Sequence, residues 1–495
     1  MRKNGNRFLD FLFFCSVAYI LMSFAGCGGN EYSGDKIWEG NYEIKTKSDV
    51  DKLRDYKEVT GKIFIRSELD VTELSLNTVK LAKEIYMKAN NNVKSFSMPL
   101  LEKTEKIELG GRFNYETTSL ESVSFPNLKN GILWIEGSAL VNSIEIPLLE
   151  SGGIYISGCA DLETVSAPLL ENGMVYITNN SSLKEISCPV LKTTGTGSFL
   201  ISYNNNLKSF EFPELREMNS GGISDNSILE SFSLPKLEKM GGNPKLSTNN
   251  SLKEIFFPEL KEAREIKIEK NNALKLVDLP KLVSTENGIE ILHNPALEFI
   301  NMPKLQIVGS AEHESFGYFY IDINLSLKSI DFSSLEKVVS SFRMTTNWAL
   351  PSSYIYDLLD RIVVGGTIDY QLNSWKDPDT NYQWSKIAYK QKDEYGYGNS
   401  IKMNFEDASG YCDALNEEGF EDWRLPTIEE LETLIRGDCT GFRSCSKLGD
   451  TGLFWSSTPV NDEKMWTYTF VSNGKASIGR GEKDELHGQI RCVRE

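Results

Sequence analysis

The chain has 495 residues, room for two or more domains, and a composition ordinary for a folded protein: 40% hydrophobic and 25% charged. Its formal net charge of -17 excludes a broad contact with nucleic acid or anionic lipid, because those surfaces need a basic footprint. The acidity suits a long, solvated surface.

Residues 1–26 read as an export signal. Arg2, Lys3 and Arg7 form a positive n-region, and residues 11–24 an apolar run too short to span a bilayer comfortably. The run ends in Phe24-Ala25-Gly26-Cys27. This resembles the lipobox of bacterial lipoproteins, with Phe24 where Leu is usual. The resemblance implies acylation of Cys27, a membrane contact through the lipid, and a place in the cell envelope, at the outer membrane or cell surface. Residues 27–41 are expected to be a tether.

Beyond Cys15 and Cys27, six cysteines remain. An exported chain meets an oxidising compartment, so Cys412, Cys439, Cys445 and Cys492 read as two disulfides. Three connectivities are open; Cys412–Cys492 with Cys439–Cys445 is preferred. A zinc site is the alternative, but C-x₂-C spacing and a neighbouring His are both wanting.

A short helix is expected to open the folded part, with Ser48 as N-cap, Asp51 reaching back, and Leu53 and Tyr56 on one side. Laid across the first coil, it would cover an open sheet edge. Residues 42–366 are then dominated by a repeat, clearest in VYITNNSSLKEISCPVL at 175–191. Each copy is anchored nine residues before a Pro: Asn180, Asn204, Asn226, Asn249, Asn271 and Asn294, with Asn324 before Ser333 instead. Upstream, the same position holds Cys159, Ser138, Thr117, Asn90 and Glu68, giving twelve copies.

With that residue as position zero, -5 and -3 are apolar (Val175, Ile177), as are +6 and +8 (Phe210, Phe212). Positions +3 and +11 are leucine-like (Leu183, Leu191). Alternation at -5/-3 and at +6/+8 is strand periodicity with one face inward. Two short strands per turn, stacked copy on copy, predict two parallel sheets around one apolar core, a rod of about 55 Å at roughly 4.8 Å per turn. Pro ends the second strand because it has no N–H for a ladder. A buried Asn at each corner can bond the backbone of adjacent turns. The unit resembles the leucine-rich-like repeats of receptor L domains and of fungal and bacterial surface proteins. That resemblance implies packing, not chemistry, for Cys159 and Cys188.

Position -4 is outward on the first sheet. It reads Phe64, Tyr86, Phe113, Trp134, Tyr155 and Tyr176, then Leu200, Gly222, Lys245, Lys267 and Glu290. The outward position of the second sheet, +7, is polar: Ser97, Ser124, Glu145, Ser166, Ser187 and Glu211. A six-turn aromatic stripe on an exported protein is a candidate ligand surface. Stacking that only stabilises the sheet is the alternative.

Residues 351–364 are expected to close the solenoid with a helix carrying Ile355, Leu358, Leu359 and Ile362. Residues 367–376 would link it to a last domain, 377–495. There, 405–418 reads as an amphipathic helix with Ala408, Tyr411, Cys412 and Leu415 inward. Thr427 to Glu430 is a capping box that opens a second helix, and short aromatic strands follow from Leu453. The ordered set DPDTNYQW (377–384), Tyr411-Cys412, DWRLPTIEEL (422–431), WSST (455–458) and IRCVR (490–494) resembles the Lcl C-terminal domain, a family named after a bacterial collagen-like adhesin. The resemblance implies an α+β, C-type-lectin-like fold and an adhesive, glycan-binding role. Asn381-Tyr382 departs from the family's usual Gly-Leu. Trp423, Trp455 and Trp466 are expected in the core, and Arg424 is expected to pair with Asp422 or Asp413.

Motifs for chemistry are wanting. His293, His313 and His487 are far apart in sequence, and there is no H-E-x-x-H, G-x-S-x-G, P-loop or dinucleotide fingerprint. Glu417-Glu418 and Glu429-Glu430 read as solvated charge on helix faces rather than as a glycosidase pair. The expected protein is mainly β: a parallel β-solenoid of leucine-rich-like repeats with helical caps, followed by an α+β C-type-lectin-like domain. Its expected role is non-enzymatic adhesion, with a glycan or another protein as ligand and no cofactor or metal. Two alternatives stay open: a polysaccharide-processing enzyme with the solenoid face as substrate groove, and a structural envelope spacer.

Overall fold

The alternation of the repeat is realised as two faces wound around one core. The computed structural model describes residues 35–88, 90–110, 119–310, 316–347, 349–370, 374–377, 379–385, 402–415, 420–434, 452–470, 476–483 and 488–495. One continuous parallel sheet, the main sheet, collects the -5/-3 strand of every described turn, from Tyr42–Ile44 to Ile368–Tyr370. The +6/+8 strands form the second face. They make three short sheets, not one: Glu73–Ser75 to Ser122–Ser124, Ser143–Glu145 to Ser231–Ser233, and Glu254–Phe256 to Ser329–Asp331. Strands of three residues have few ladder bonds each, so a small offset between turns is enough to interrupt pairing.

The core between the faces is continuous. Leu170, Leu191, Leu237 and Leu282, all at +11, are fully buried, and each contributes about 2 kcal/mol relative to an exposed side chain. Cys159 and Cys188 are buried there as free thiols. Burial pushes both up to about 12, which leaves them protonated and inert.

Corners carry the strain of the winding. The residue before position zero takes a left-handed conformation: Gly137 and Gly158 at φ 69°, then Asn179, Tyr203, Asp225, Thr248, Lys270, His293, Ile323 and Thr346 at φ 54–57°. His293 is therefore a corner residue. A β-branched side chain such as Thr248 or Ile323 adopts this conformation at a cost of about 1–2 kcal/mol, so the turn must be held from elsewhere. The Asn ladder holds it. Asn271 Oδ1 accepts the backbone N–H of Asn249 at 3.0 Å, and its Nδ2 donates to the Leu246 carbonyl at 3.0 Å. The same pair of bonds recurs at Asn204, Asn226, Asn249, Asn294 and Asn324.

The ladder also runs past the twelfth copy. Asn347 Oδ1 accepts from the Asn324 N–H at 3.1 Å, and Phe342, Met344, Leu350 and Leu358 fill -5, -3, +3 and +11 of its turn. No Pro stands nine residues later, because a helix, Ser352–Leu359, replaces the second-face strand. Ile355 and Leu358 on it are buried. At the other end the helix Lys47–Leu53 takes the same place. Its N-cap is Thr46, and Asp49 completes the capping box. Ser48 and Asp51 fall inside the helix, and Tyr56 begins the next strand instead of facing Leu53.

Two boundaries shift from the sequence expectation. Within the expected tether, Lys36–Trp38 is a strand paired with Tyr56–Ile65, and Trp38 packs edge-on against Tyr42 and Tyr56. Within the expected linker, Ile368–Tyr370 joins the main sheet and Ser374–Lys376 joins the C-terminal domain.

In the C-terminal domain, three antiparallel strands (Ser374–Lys376, Gln383–Ser385, Val493–Arg494) and a mixed five-stranded sheet accompany helices Phe405–Asp413 and Ile428–Thr433. Trp384, Trp423 and Trp455 are buried, while Trp466 is half-buried with Arg480 over its ring at 4.8 Å. Cys412 and Cys492 form a disulfide; Cys439 and Cys445 lie outside the described residues. Arg424 pairs with Glu430 through two hydrogen bonds, at 2.8 and 2.6 Å, whereas Asp422 takes Arg494. Glu430 is thus buried rather than solvated, because the same carboxylate caps the helix through Thr427 N–H at 2.7 Å. Glu417 and Glu418 lie outside the described residues.

Candidate functional site on the outward face of the main sheet

Strand register decides which side chains share the outward row. The row runs Glu43, Phe64, Tyr86, Glu108, Trp134, Tyr155, Tyr176 and Leu200, then Gly222, Lys245, Lys267, Glu290, Tyr320 and Arg343. Phe64, Tyr86, Trp134, Tyr155 and Tyr176 stand where the repeat spacing puts them. Phe113 does not. The strand of its turn is Lys103–Leu109, and the member of the row is Glu108. Counting back from Pro126 crosses extra residues between that strand and its corner, and Phe113 lies outside the described residues. Counting forward finds the strand, since the +11 leucine precedes it by five or six residues, as Leu149 precedes Ile154 and Leu101 precedes Ile107.

The stripe is therefore two groups of rings divided by a carboxylate. Glu108 is 3% exposed and is held by Lys106 at 2.5 Å and Lys88 at 3.2 Å. Burial raises its carboxyl, and the hydrogen bond from Lys106 together with the ion pair to Lys88 outweighs that and keeps it below the ordinary carboxylate range. On one side Phe64 and Tyr86 stack at 5.5 Å, flanked by Arg66 over Phe64 and by Lys62 and Lys88 over Tyr86. On the other, Trp134 and Tyr155 stack at 3.4 Å and 7°, and Tyr155 and Tyr176 at 4.3 Å and 9°.

These distances fix what the rings offer. Near-parallel rings with centroids 3.4–4.3 Å apart lie face against face along the solenoid axis. Lys106 Nζ sits 4.1 Å from the Trp134 centroid, which closes the free end of the stack by a cation–π contact. Both faces of Trp134 and Tyr155, and the face of Tyr176 toward Tyr155, are therefore covered. What remains toward solvent is a ridge of half-buried ring edges, flanked by charges such as Glu136, which accepts from Trp134 Nε1 at 3.3 Å.

Beyond Leu200 the row turns ionic. Lys267 pairs with Glu290 and with Glu269 at 3.2 Å, and Lys245 reaches Glu269 at 3.1 Å. Tyr320 returns an aromatic ring to the row under Arg343, 4.4 Å from its centroid, and stacks on Tyr318 at 5.3 Å. Sequence reasoning missed Tyr320, although it lies four residues before Asn324, as Tyr176 lies before Asn180. Among the described residues no three His, Cys, Asp or Glu side chains gather to hold a metal ion, and no helix is long and apolar enough to cross a membrane. Cys27 lies outside the described residues.

The fold defines a β-solenoid of leucine-rich-like repeats. Its C-terminal part is an Lcl domain: residues 373–494 match the family model "Lcl C-terminal domain". No curated protein matches the chain. Among solved structures, a leucine-rich repeat protein from Bacteroides ovatus ATCC 8483 is 15% identical, covering 62% of this chain and 91% of that one, with a TM-score of 0.27. The pneumococcal vaccine antigen PcpA is 13% identical, covering 67% and 92%, with a TM-score of 0.14.

Proposed function

We propose that the protein is a non-enzymatic adhesion protein of the cell surface, held to the envelope by a lipid on Cys27, and that its main sheet meets a partner protein along the ridge Trp134–Tyr155–Tyr176. The observation that carries the reading is the stack itself. Aromatic side chains are enriched at the centres of protein interfaces, with charge at the rim, and Trp134 and Tyr155, their faces covered, present edges, which suit a protein surface better than a pyranose. The Lcl domain supports an adhesive role, and through it a glycan contact in that domain stays within the proposal. Enzymatic processing of a polysaccharide on this face is disfavoured, since its carboxylates are tied to lysines in the row rather than left to do acid–base work.

The test uses the full chain and its Trp134→Ser/Tyr155→Ser/Tyr176→Ser variant on an array of purified secreted proteins and on a glycan array. A protein ligand captured by the parent chain and lost by the variant, with unchanged circular dichroism, supports the reading. Protein capture retained by the variant, or glycan capture lost with it, refutes the assignment of the ridge. For the anchor, Cys27→Ser is expected to move the expressed protein from the detergent phase to the aqueous phase of Triton X-114; an unchanged partition would refute lipidation.

A further inference from the structure

The second face carries a groove of about 610 Å³ that the repeat spacing gave no reason to expect. It lies over Glu185–Ser187, Ser209–Glu211, Ser231–Ser233 and Glu254–Phe256, where the five-stranded sheet ends and the four-stranded sheet begins. At this break the wall opens. Ile186, Phe210 and Ile255 are buried at the inward +6 position, but Phe232 is only half-buried, its ring tilted at 45° to Phe257. Phe256 lies beside it and is 45% exposed. The groove is therefore lined by the rings of Phe232 and Phe256 and by the serines Ser187, Ser209, Ser231 and Ser233.

Its charge is one-sided. Flanking glutamates of these and the preceding turn are neutralised: Glu163 by Lys184, Glu214 by Lys236 and Glu230 by Lys253. Glu185, Glu211 and Glu254 line the groove, and none of these three carboxylates has an ion pair or side-chain hydrogen bond with a described residue. Glu185 and Glu254 occupy the same +5 row three turns apart, roughly 14 Å at about 4.8 Å per turn. An extended chain advances about 3.4 Å per residue, so its residues i and i+4 span the same distance on one side.

We propose that this groove binds an extended basic peptide segment lying along the solenoid axis. Its lysines or arginines at i and i+4 meet Glu185 and Glu254, one at i+2 reaches toward Glu211, and their aliphatic stems rest on Phe232 and Phe256. The surplus negative charge of the chain favours the encounter. This site is on the opposite face from the aromatic ridge, so either assignment can fail without the other.

The probe is the blocked peptide Lys-Thr-Lys-Thr-Lys, titrated against the full chain by fluorescence anisotropy, with spermine as competitor. Glu185→Gln/Glu254→Gln is expected to weaken binding about tenfold, and Phe256→Ser to weaken it as well. Glu145→Gln/Glu150→Gln, with the same net charge but outside the groove, is expected to leave it unchanged. Absent binding, equal weakening by both glutamine pairs, or spermine binding as tightly as the peptide and indifferent to Phe256→Ser would each overturn the proposal.

Discussion

Replacing Asn271 with Ala removes one rung from the polar ladder and nothing from the apolar core. Asn271 is fully buried. Its loss leaves the Asn249 N–H and the Leu246 carbonyl, bonded at 3.0 Å each, without their partner. An unsatisfied buried backbone group costs about 1–3 kcal/mol, so the variant is expected to lose roughly 2–6 kcal/mol; one water filling the vacated amide site would bring the loss to the lower end. Asn271→Asp sharpens the test. It keeps the acceptor for Asn249 but turns a second oxygen toward the Leu246 carbonyl and toward Asn294 Oδ1, now 3.2 Å from the donor, so it is expected to be worse than Ala at neutral pH. Urea denaturation followed by far-ultraviolet circular dichroism measures both. A loss below about 1 kcal/mol for Asn271→Ala, within the range of an ordinary surface substitution, would refute the view that the ladder holds the left-handed corners.

Three further outcomes are expected. Gly152→Ala places a Cβ about where the Gly131 carbonyl oxygen sits, 2.1 Å away, at φ +118°; it should cost at least about 3 kcal/mol, read as a lower melting temperature in calorimetry. Burial raises the Glu430 carboxyl, and the hydrogen bonds from Arg424 and Thr427 outweigh it, so its folded-state pKa is depressed. Its contribution is therefore present above the unfolded carboxylate value of about 4.3 and lost as pH falls through the lower folded value. Glu430→Gln should destabilise the C-terminal domain by about 2 kcal/mol at neutral pH, less to the extent that water screens the 40%-exposed Arg424, and should flatten that acid dependence in tryptophan fluorescence. Reducing the Cys412–Cys492 disulfide, whose partners are 80 residues apart, should cost the domain about 4 kcal/mol in the chain-entropy model, measured by denaturation with and without reductant.

How much was legible in the chain depended on distance. The inward positions, the closing helix and the capping box at Thr427 follow from contacts within one turn or one helix, and the corner Asn is placed by its fixed spacing from the Pro, although its bonds reach the preceding turn. Four cysteines left three connectivities open, and the fold, which brings Cys412 and Cys492 together across 80 residues, selects the preferred one for that pair. Asn347 was hidden because the Pro used to find its companions is absent where a helix replaces the strand, although Leu350 and Leu358 kept the pattern. Arg424 offered nearby aspartates as partners, yet the helix cap aimed Glu430 at it instead.

The amino-acid sequence by itself determined that this protein winds, because period-two alternation and a strand-ending Pro act locally and recur with a corner Asn at fixed spacing. Tertiary structure decided everything that depends on one turn's position over the next. Extra residues in a single turn put Glu108 where Phe113 was expected, and close stacking of Trp134, Tyr155 and Tyr176 left ring edges toward solvent in the aromatic stripe. The groove beside Phe232 lies where pairing breaks between Ser231–Ser233 and Glu254–Phe256. Register, stacking and offset are relations between turns, and a period read along the chain does not contain them.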